Sequence, residues 1–327
     1  MDNNYRKLIE KFRERIKEGE ILAPYTTYKV GGPADVFFNA TTGTEFADSI
    51  IAARNSGIPF LILGGGSNIL VGDKGFRGLV IKNSTADITI RGMKGKVRGL
   101  NTESKVYLEV DSGVPMNKLV RYTIGEGLAG LEMHLGLPGT VGGAIYMNSK
   151  WTKPTAMVGD AVYKAVVLTK DNELKQVDKD YFHFSYGTSV LQKNTDILIR
   201  VTFALMKDNP EVLWQRANES IAYRRETQPQ GVHTAGCVFK NITPAQALTY
   251  GTPDHTTSAG FLLDKSGCKG MKVGGAEVSP VHANFIITSP GATASDVVEL
   301  IDMMKKNVKK KFGVTLKEEI VKVGEFE

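Results

Sequence analysis

Hydrophobic positions along this chain change period several times, and each change predicts an element. Ile9, Phe12 and Ile16 recur at helical spacing among charged residues, which predicts an amphipathic helix over residues 5–18 ended by Gly19. From Tyr28 to about residue 82, short β-rich runs (Val36-Phe37-Phe38, Phe60-Leu61-Ile62-Leu63, Leu79-Val80-Ile81-Lys82) alternate with glycine clusters and a helical stretch near residues 44–55, an α/β pattern. A second block, from about 88 to 205, carries the strands Val106-Tyr107-Leu108-Glu109-Val110, Ala165-Val166-Val167-Leu168 and Ile197 to Phe203 around a glycine-rich stretch at 125–148, and reads as α+β. The polar Lys207-Asp208-Asn209-Pro210 reads as a linker. The final block closes with an amphipathic helix in which Val297, Ile301, Met304, Val308 and Phe312 step by three and four. Thr293 and Asp296 stand at capping-box spacing before it, and Phe312-Gly313 ends it.

Composition narrows the class. The 327 residues are 42% hydrophobic and 23% charged, the profile of a folded globular protein of roughly two domains. Two cysteines, Cys237 and Cys268, are too few for a disulfide framework and suit a reducing compartment. The charged N-terminus is followed by no apolar core of a signal peptide, and the most apolar windows stop well short of the ~20 residues a membrane span needs, so a cytoplasmic location without membrane attachment is expected. Lys+Arg 41 against Asp+Glu 35 leaves a net charge of +6. Much of that excess is Lys305, Lys306, Lys309, Lys310 and Lys311, a run that reads as a solvated helix face, and no nucleic-acid module is visible.

Two glycine clusters carry the first chemical signal. Gly64-Gly65-Gly66-Ser67-Asn68 follows an apolar strand directly, and three glycines let successive backbone N–H groups converge on an anion. Gly136-Leu137-Pro138-Gly139-Thr140-Val141-Gly142-Gly143-Ala144 again gathers small residues and a hydroxyl. Neither is a P-loop or a dinucleotide-binding G-x-G-x-x-G turn. A tight turn is the bland reading of either alone; together they suit one pyrophosphate gripped from two sides.

These residues resemble the UDP-N-acetylenolpyruvoylglucosamine reductase family in its short form. The resemblance begins at Thr27-Tyr28-Lys29-Val30-Gly31-Gly32-Pro33-Ala34 and runs through both glycine clusters. It continues in Arg224-Arg225-Glu226-Thr227-Gln228-Pro229, Ala235-Gly236-Cys237-Val238-Phe239-Lys240-Asn241, Gly274-Gly275-Ala276-Glu277-Val278-Ser279, His282-Ala283-Asn284-Phe285-Ile286, and Phe312 to Ile320. It implies an α+β fold of the vanillyl-alcohol-oxidase type: an N-terminal helix with a first FAD-binding subdomain (residues 1–85), a second (86–206) and a substrate domain (207–327). The implied reaction passes hydride from NADPH to FAD and then to the enolpyruvyl β-carbon of UDP-N-acetylglucosamine enolpyruvate, giving UDP-N-acetylmuramate for peptidoglycan, cell shape and division. The family also suggests a monomer, and no metal site is expected.

The resemblance places the proton donor at Cys237, where the family usually has serine. A thiol, with an ordinary pKa of ~8.5, is the stronger acid. Read alone, Cys237 is a small buried hydrophobe, and Cys268 reads as packing. Glu319 matches the family's C-terminal glutamate, which assists at the enolate carboxylate or in proton relay, with Glu318 as the surface alternative. Tyr28, Gly64, Gly65, Gly66, Ser67, Asn68, Gly139, Thr140, Gly142, Gly143 and Arg225 are the implied cofactor contacts, with Arg224 the solvated neighbour. Tyr186, Ser189, Lys240 and Asn241 are the implied substrate contacts. Asn148 and Asn284 are further candidates for the flavin site, against the plainer reading of turn or packing residues. His282 is read as structural.

One departure matters. Where the family carries Tyr-Arg-x-Ser, with the arginine stabilising the enolic intermediate, this chain has Tyr186-Gly187-Thr188-Ser189. Glycine supplies no charge, and loss of such a contact costs on the order of 10²–10³ in rate. Lys150, in the atypical Asn148-Ser149-Lys150-Trp151, and Arg224 are the candidate substitutes. The alternatives are a paralogous flavoprotein with another substrate, or a flavin- or nucleotide-binding regulator impaired in catalysis.

Overall fold

The computed structural model describes residue 5 and residues 11–94 and 104–326. Contacts group the chain into two units built from non-consecutive segments. The first comprises residues 1–16, 38–65 and 80–224, and the second residues 17–37, 66–79 and 225–327.

The first unit is organised on a mainly antiparallel sheet. Its strands run in the order Leu174–Asp178, Val162–Leu168, Ile197–Lys207, Lys105–Asp111 and Ile88–Lys94, with Leu128–Ala129 also pairing with Ile197–Lys207. Alternation decides which face is buried: Val106, Leu108 and Val110 are inaccessible and join Val201, Phe203 and Leu205 of the adjacent strand in the core. The helix Met116–Gly125 buries Met116, Leu119, Val120 and Ile124 in the same core. Each such side chain contributes ~1.5–3 kcal/mol when fully buried. The helix Gly43–Asn55 starts at a capping box of Thr42 and Glu45, and Glu45 also pairs with Arg15.

The second unit centres on the helix Ala294–Phe312. Its capping box of Thr293 and Asp296 and its left-handed stop at Gly313 are as the spacing predicts. Val297, Ile301, Met304 and Val308 pack with Phe239, Leu262, Leu263, Val278 and Ile286. Lys272–Val273, Ala276–Val278 and Ile286–Thr288 form an antiparallel sheet, and Val321–Val323 pairs in parallel with Ile69–Val71.

Ile16–Glu18, Ala34–Ala40, Phe76–Asn83 and Phe60–Leu63 form a four-stranded sheet in that order. This corrects the end of the helix expected over 5–18: Tyr5, Lys11 and Phe12 are helical, but Arg13–Arg15 is a 3₁₀ turn, and Ile16 opens an edge strand. Ladder bonds available from Ala34–Ala40 outcompete the local helical spacing there. Ile9 lies outside the described residues. The expected linker at 207–210 is a two-residue connection, Asp208-Asn209, between the strand ending at Lys207 and the helix Pro210–Thr227.

Candidate active site

In the first unit the two glycine clusters meet. Gly65 sits so close to Gly139 that a Cβ on it would lie 2.5 Å from the Gly139 Cα, and a Cβ on Gly64 would lie 2.6 Å from Thr140 Oγ1. Only glycine permits that approach. Among the described residues, the backbone N–H groups of Gly65, Gly139 and Thr140 find no protein acceptor. Thr140 precedes the short helix Val141–Tyr146, which carries Gly142 and Gly143. The Lys82 Nζ, at the end of the strand beside Phe60–Leu63, donates to the Gly64 carbonyl at 2.7 Å.

The other first-unit candidates are more committed to structure. Ser189 is buried, and its hydroxyl donates to the Tyr146 carbonyl at 2.8 Å. Asn148, in left-handed backbone conformation, donates to the Ser185 carbonyl and to the Met157 sulfur and accepts from the Gly159 N–H. Tyr186 is exposed, with Lys150 Nζ 5.2 Å from its ring centroid. Gly187 has φ 63°, and it follows Tyr186 in a tight turn closed by paired bonds between Ser185 and Thr188. An arginine there would carry left-handed strain. Arg224, read as a solvated neighbour, is half-buried instead, with its guanidinium 4.2 Å from the Trp151 ring centroid. The indole face holds the planar cation.

In the second unit, the segment from Cys237 to Lys240 lies between two others. Val238 N donates to the Asn284 carbonyl, and Cys237 bridges Phe285. On the other side Glu319 N donates to the Val238 carbonyl at 2.7 Å, and Lys240 N to the Lys317 carbonyl at 2.9 Å. Asn284 also clamps Phe239, accepting from its N–H at 2.9 Å and donating to its carbonyl at 2.8 Å, both buried. Asn68 Nδ2 reaches the Glu319 carbonyl at 3.1 Å, and Gly66 O accepts from the Thr27 N–H. Asn241 is exposed, and its Oδ1 accepts from the first N–H of the helix Ala259–Lys265. Cys268 is fully buried in the core, and the His282 Nδ1 accepts from the Asn284 N–H. Arg225 is exposed.

Adjacent glutamates sit in opposite environments. Burial pushes the Glu319 carboxyl up to about 6, with the Lys240 charge opposing it. Glu318 is not the surface residue the sequence suggests: burial pushes it up, but bonds from Lys305 and Lys322 outweigh that and hold it below the ordinary value. Tyr28 is inaccessible; burial, then the neighbouring Cys237, keeps its phenol protonated.

Comparison with known proteins follows the same lines. Residues 228–323 match the model of the C-terminal domain of UDP-N-acetylenolpyruvoylglucosamine reductase, and residues 34–178 match that of an FAD-binding domain. The UDP-N-acetylenolpyruvoylglucosamine reductase of Halalkalibacterium halodurans is 35% identical over 323 residues, covering 98% of this chain and 99% of its own. The chain belongs to the UDP-N-acetylenolpyruvoylglucosamine reductase family. The reductase of Desulfosudis oleivorans is 36% identical over 332 residues, covering 99% and 100%. The crystal structure of the Thermus caldophilus reductase superposes with a TM-score of 0.73 at 30% identity, covering 94% and 99%. The α+β, FAD-binding fold expected from the sequence is thus borne out.

FAD is the reductase family's cofactor, and the residues present fit it on two observations. In the first unit both glycine loops carry backbone donors with no protein acceptor among the described residues, the kind of group by which a chain binds phosphate without a charged side chain. In the second unit the Tyr28 hydroxyl is buried with no hydrogen-bond partner among the described residues, an arrangement that costs ~1–3 kcal/mol unless a bound group satisfies it. Among the described residues no cluster of three or more His, Cys, Asp or Glu could hold a metal, and no helix is long and apolar enough to cross a membrane. Lys82 escaped the sequence reading because no motif contains it; only the sheet brings its Nζ to Gly64.

Proposed function

We propose that this chain reduces UDP-N-acetylglucosamine enolpyruvate to UDP-N-acetylmuramate, with FAD as cofactor and NADPH as hydride donor, for peptidoglycan synthesis. The observation that supports the reading is the backbone bond from Glu319 to Val238, which lays the segment of Glu319, whose carboxyl burial pushes up to about 6, alongside the segment that carries Cys237. Bound FAD supplies the hydride chemistry. Gly64, Gly65, Gly139, Thr140, Gly142 and Gly143 of the first unit would hold its phosphates; Tyr28, Gly66, Ser67, Asn68 and Arg225 are the other cofactor contacts proposed.

The protein's own contribution is charge and proton placement. Hydride addition at the β-carbon leaves negative charge at the α-carbon and its carboxylate. Cys237 holds the proton at Sγ that quenches the α-carbon. Glu319 meets the carboxylate end, and the anionic substrate beside it raises its proton affinity further. Lys240 brings an opposite charge to that carboxylate; Asn241, Tyr186 and Ser189 are the remaining substrate contacts proposed. The position of the Lys150 ammonium over the Tyr186 ring, beside Gly187, supports Lys150 as the cation in place of the family arginine. Cytoplasmic action as a monomer completes the proposal.

The test is anaerobic stopped-flow: FAD-loaded protein is reduced with NADPH, then mixed with UDP-N-acetylglucosamine enolpyruvate. Rapid flavin reoxidation is expected. Reduction without reoxidation would refute the substrate and favour a paralogous or impaired flavoprotein; a protein that takes up no FAD would refute the whole reading.

A further inference from the structure

Lys82 is a half-buried lysine with a single recorded partner. Its Nζ donates to the Gly64 carbonyl at 2.7 Å, and among the described residues no carboxylate lies within ion-pair distance of it. An ammonium has three protons, and among the described residues this one gives only one of them to a protein group. Burial alone shifts its pKa, downward, with no acidic neighbour to offset it. A cation partly withdrawn from water without a counter-charge is disfavoured, and an anion beside it would offset that cost. The atom it grips belongs to Gly64, in the loop packed on Gly139 and Thr140, and the N–H groups of Gly65, Gly139 and Thr140 have no protein acceptor among the described residues.

We infer that Lys82 is a binding and positioning residue for the FAD diphosphate: one proton fixes the Gly64 carbonyl and the ammonium charge pairs with phosphate. The inference rests on the FAD reading above and adds a residue to it.

The experiment measures the FAD dissociation constant by flavin fluorescence quenching for the wild type, K82Q and K82R. Glutamine still donates to the Gly64 carbonyl but carries no charge; arginine keeps the charge. K82Q is expected to weaken FAD roughly 10- to 100-fold, the range for a charge-assisted bond, and K82R by less than about threefold. K82Q binding FAD as the wild type does would overturn the inference while leaving the reductase reading intact; a wild type that binds no FAD would overturn both. Should K82Q not fold, reductive methylation of the wild type followed by peptide mass analysis decides the matter. FAD is expected to protect Lys82, and equal labelling with and without FAD overturns its role.

Discussion

Replacing Glu319 with glutamine separates the cost of this residue to folding from its use in the site. The carboxyl ionises near 6 in the folded chain and near the ordinary 4.5 when exposed, because burial disfavours the charge more than Lys240 relieves it. That gap is worth ~2 kcal/mol. Since the folded value is the higher one, the folded protein keeps a proton that the unfolded chain has released. Stability therefore falls as pH rises from 4.5 to about 6 and stays lowered above that. Glutamine cannot ionise, so Glu319→Gln should match the wild type near pH 4 and exceed it by ~1–2 kcal/mol at pH 7.5. Urea unfolding of the flavin-free proteins at both pH values, followed by circular dichroism, measures the difference. Glu318→Gln is the internal control with the opposite sign: it removes a carboxyl held ionised by Lys305 and Lys322, and should be less stable than the wild type at pH 7.5. A Glu319→Gln protein less stable at pH 7.5, or shifted equally at both pH values, would refute the reasoning.

Cys237→Ala should leave flavin reduction by NADPH intact and slow reoxidation by the enolpyruvyl substrate by 10²–10³-fold, roughly the worth of a general acid; equal loss in both half-reactions in stopped-flow would remove its role as proton donor. Gly65→Ala forces a Cβ to 2.5 Å from the Gly139 Cα, so the two loops must part, and the purified protein should carry much less flavin by its 450 to 280 nm absorbance ratio; a fully yellow variant would contradict this. His134 is buried with neither ring nitrogen hydrogen-bonded among the described residues, and burial, aided by the Arg224 charge, pushes its pKa down to about 4. The unfolded chain takes that proton first, so the wild type should lose stability between pH 6.5 and 4, by ~3 kcal/mol in all. His134→Leu should abolish that part of the slope, and an unchanged profile by thermal unfolding would exclude the assignment.

What the sequence determined by itself was whatever depends on neighbours along the chain. The helix Ala294–Phe312 is legible because its capping box, its apolar steps of three and four and its glycine stop all lie within one segment. The strand runs read at 60–63, 106–110 and 197–203 are legible from apolar, aromatic and β-branched content, and the structure extends the last two to 105–111 and 197–207. The two glycine loops and the motifs about Cys237 and Glu319 carry the family because their order along the chain is itself specific. Environment was beyond that reach. Glu318 and Glu319 are neighbours of identical chemistry; Lys305 and Lys322 make the first a paired carboxylate, while burial, against the opposing charge of Lys240, makes the second a proton holder. Ile16 obeys a helical spacing and joins a strand because another strand lies beside it. Arg224 is packed by an indole 73 positions earlier in the chain, and Asn68 meets Glu319 across a separation of 251. Burial and partner are set by residues far apart in sequence, and a charge or a proton is worth what those partners and the excluded water make it, so that part of the site was decided by the tertiary structure alone.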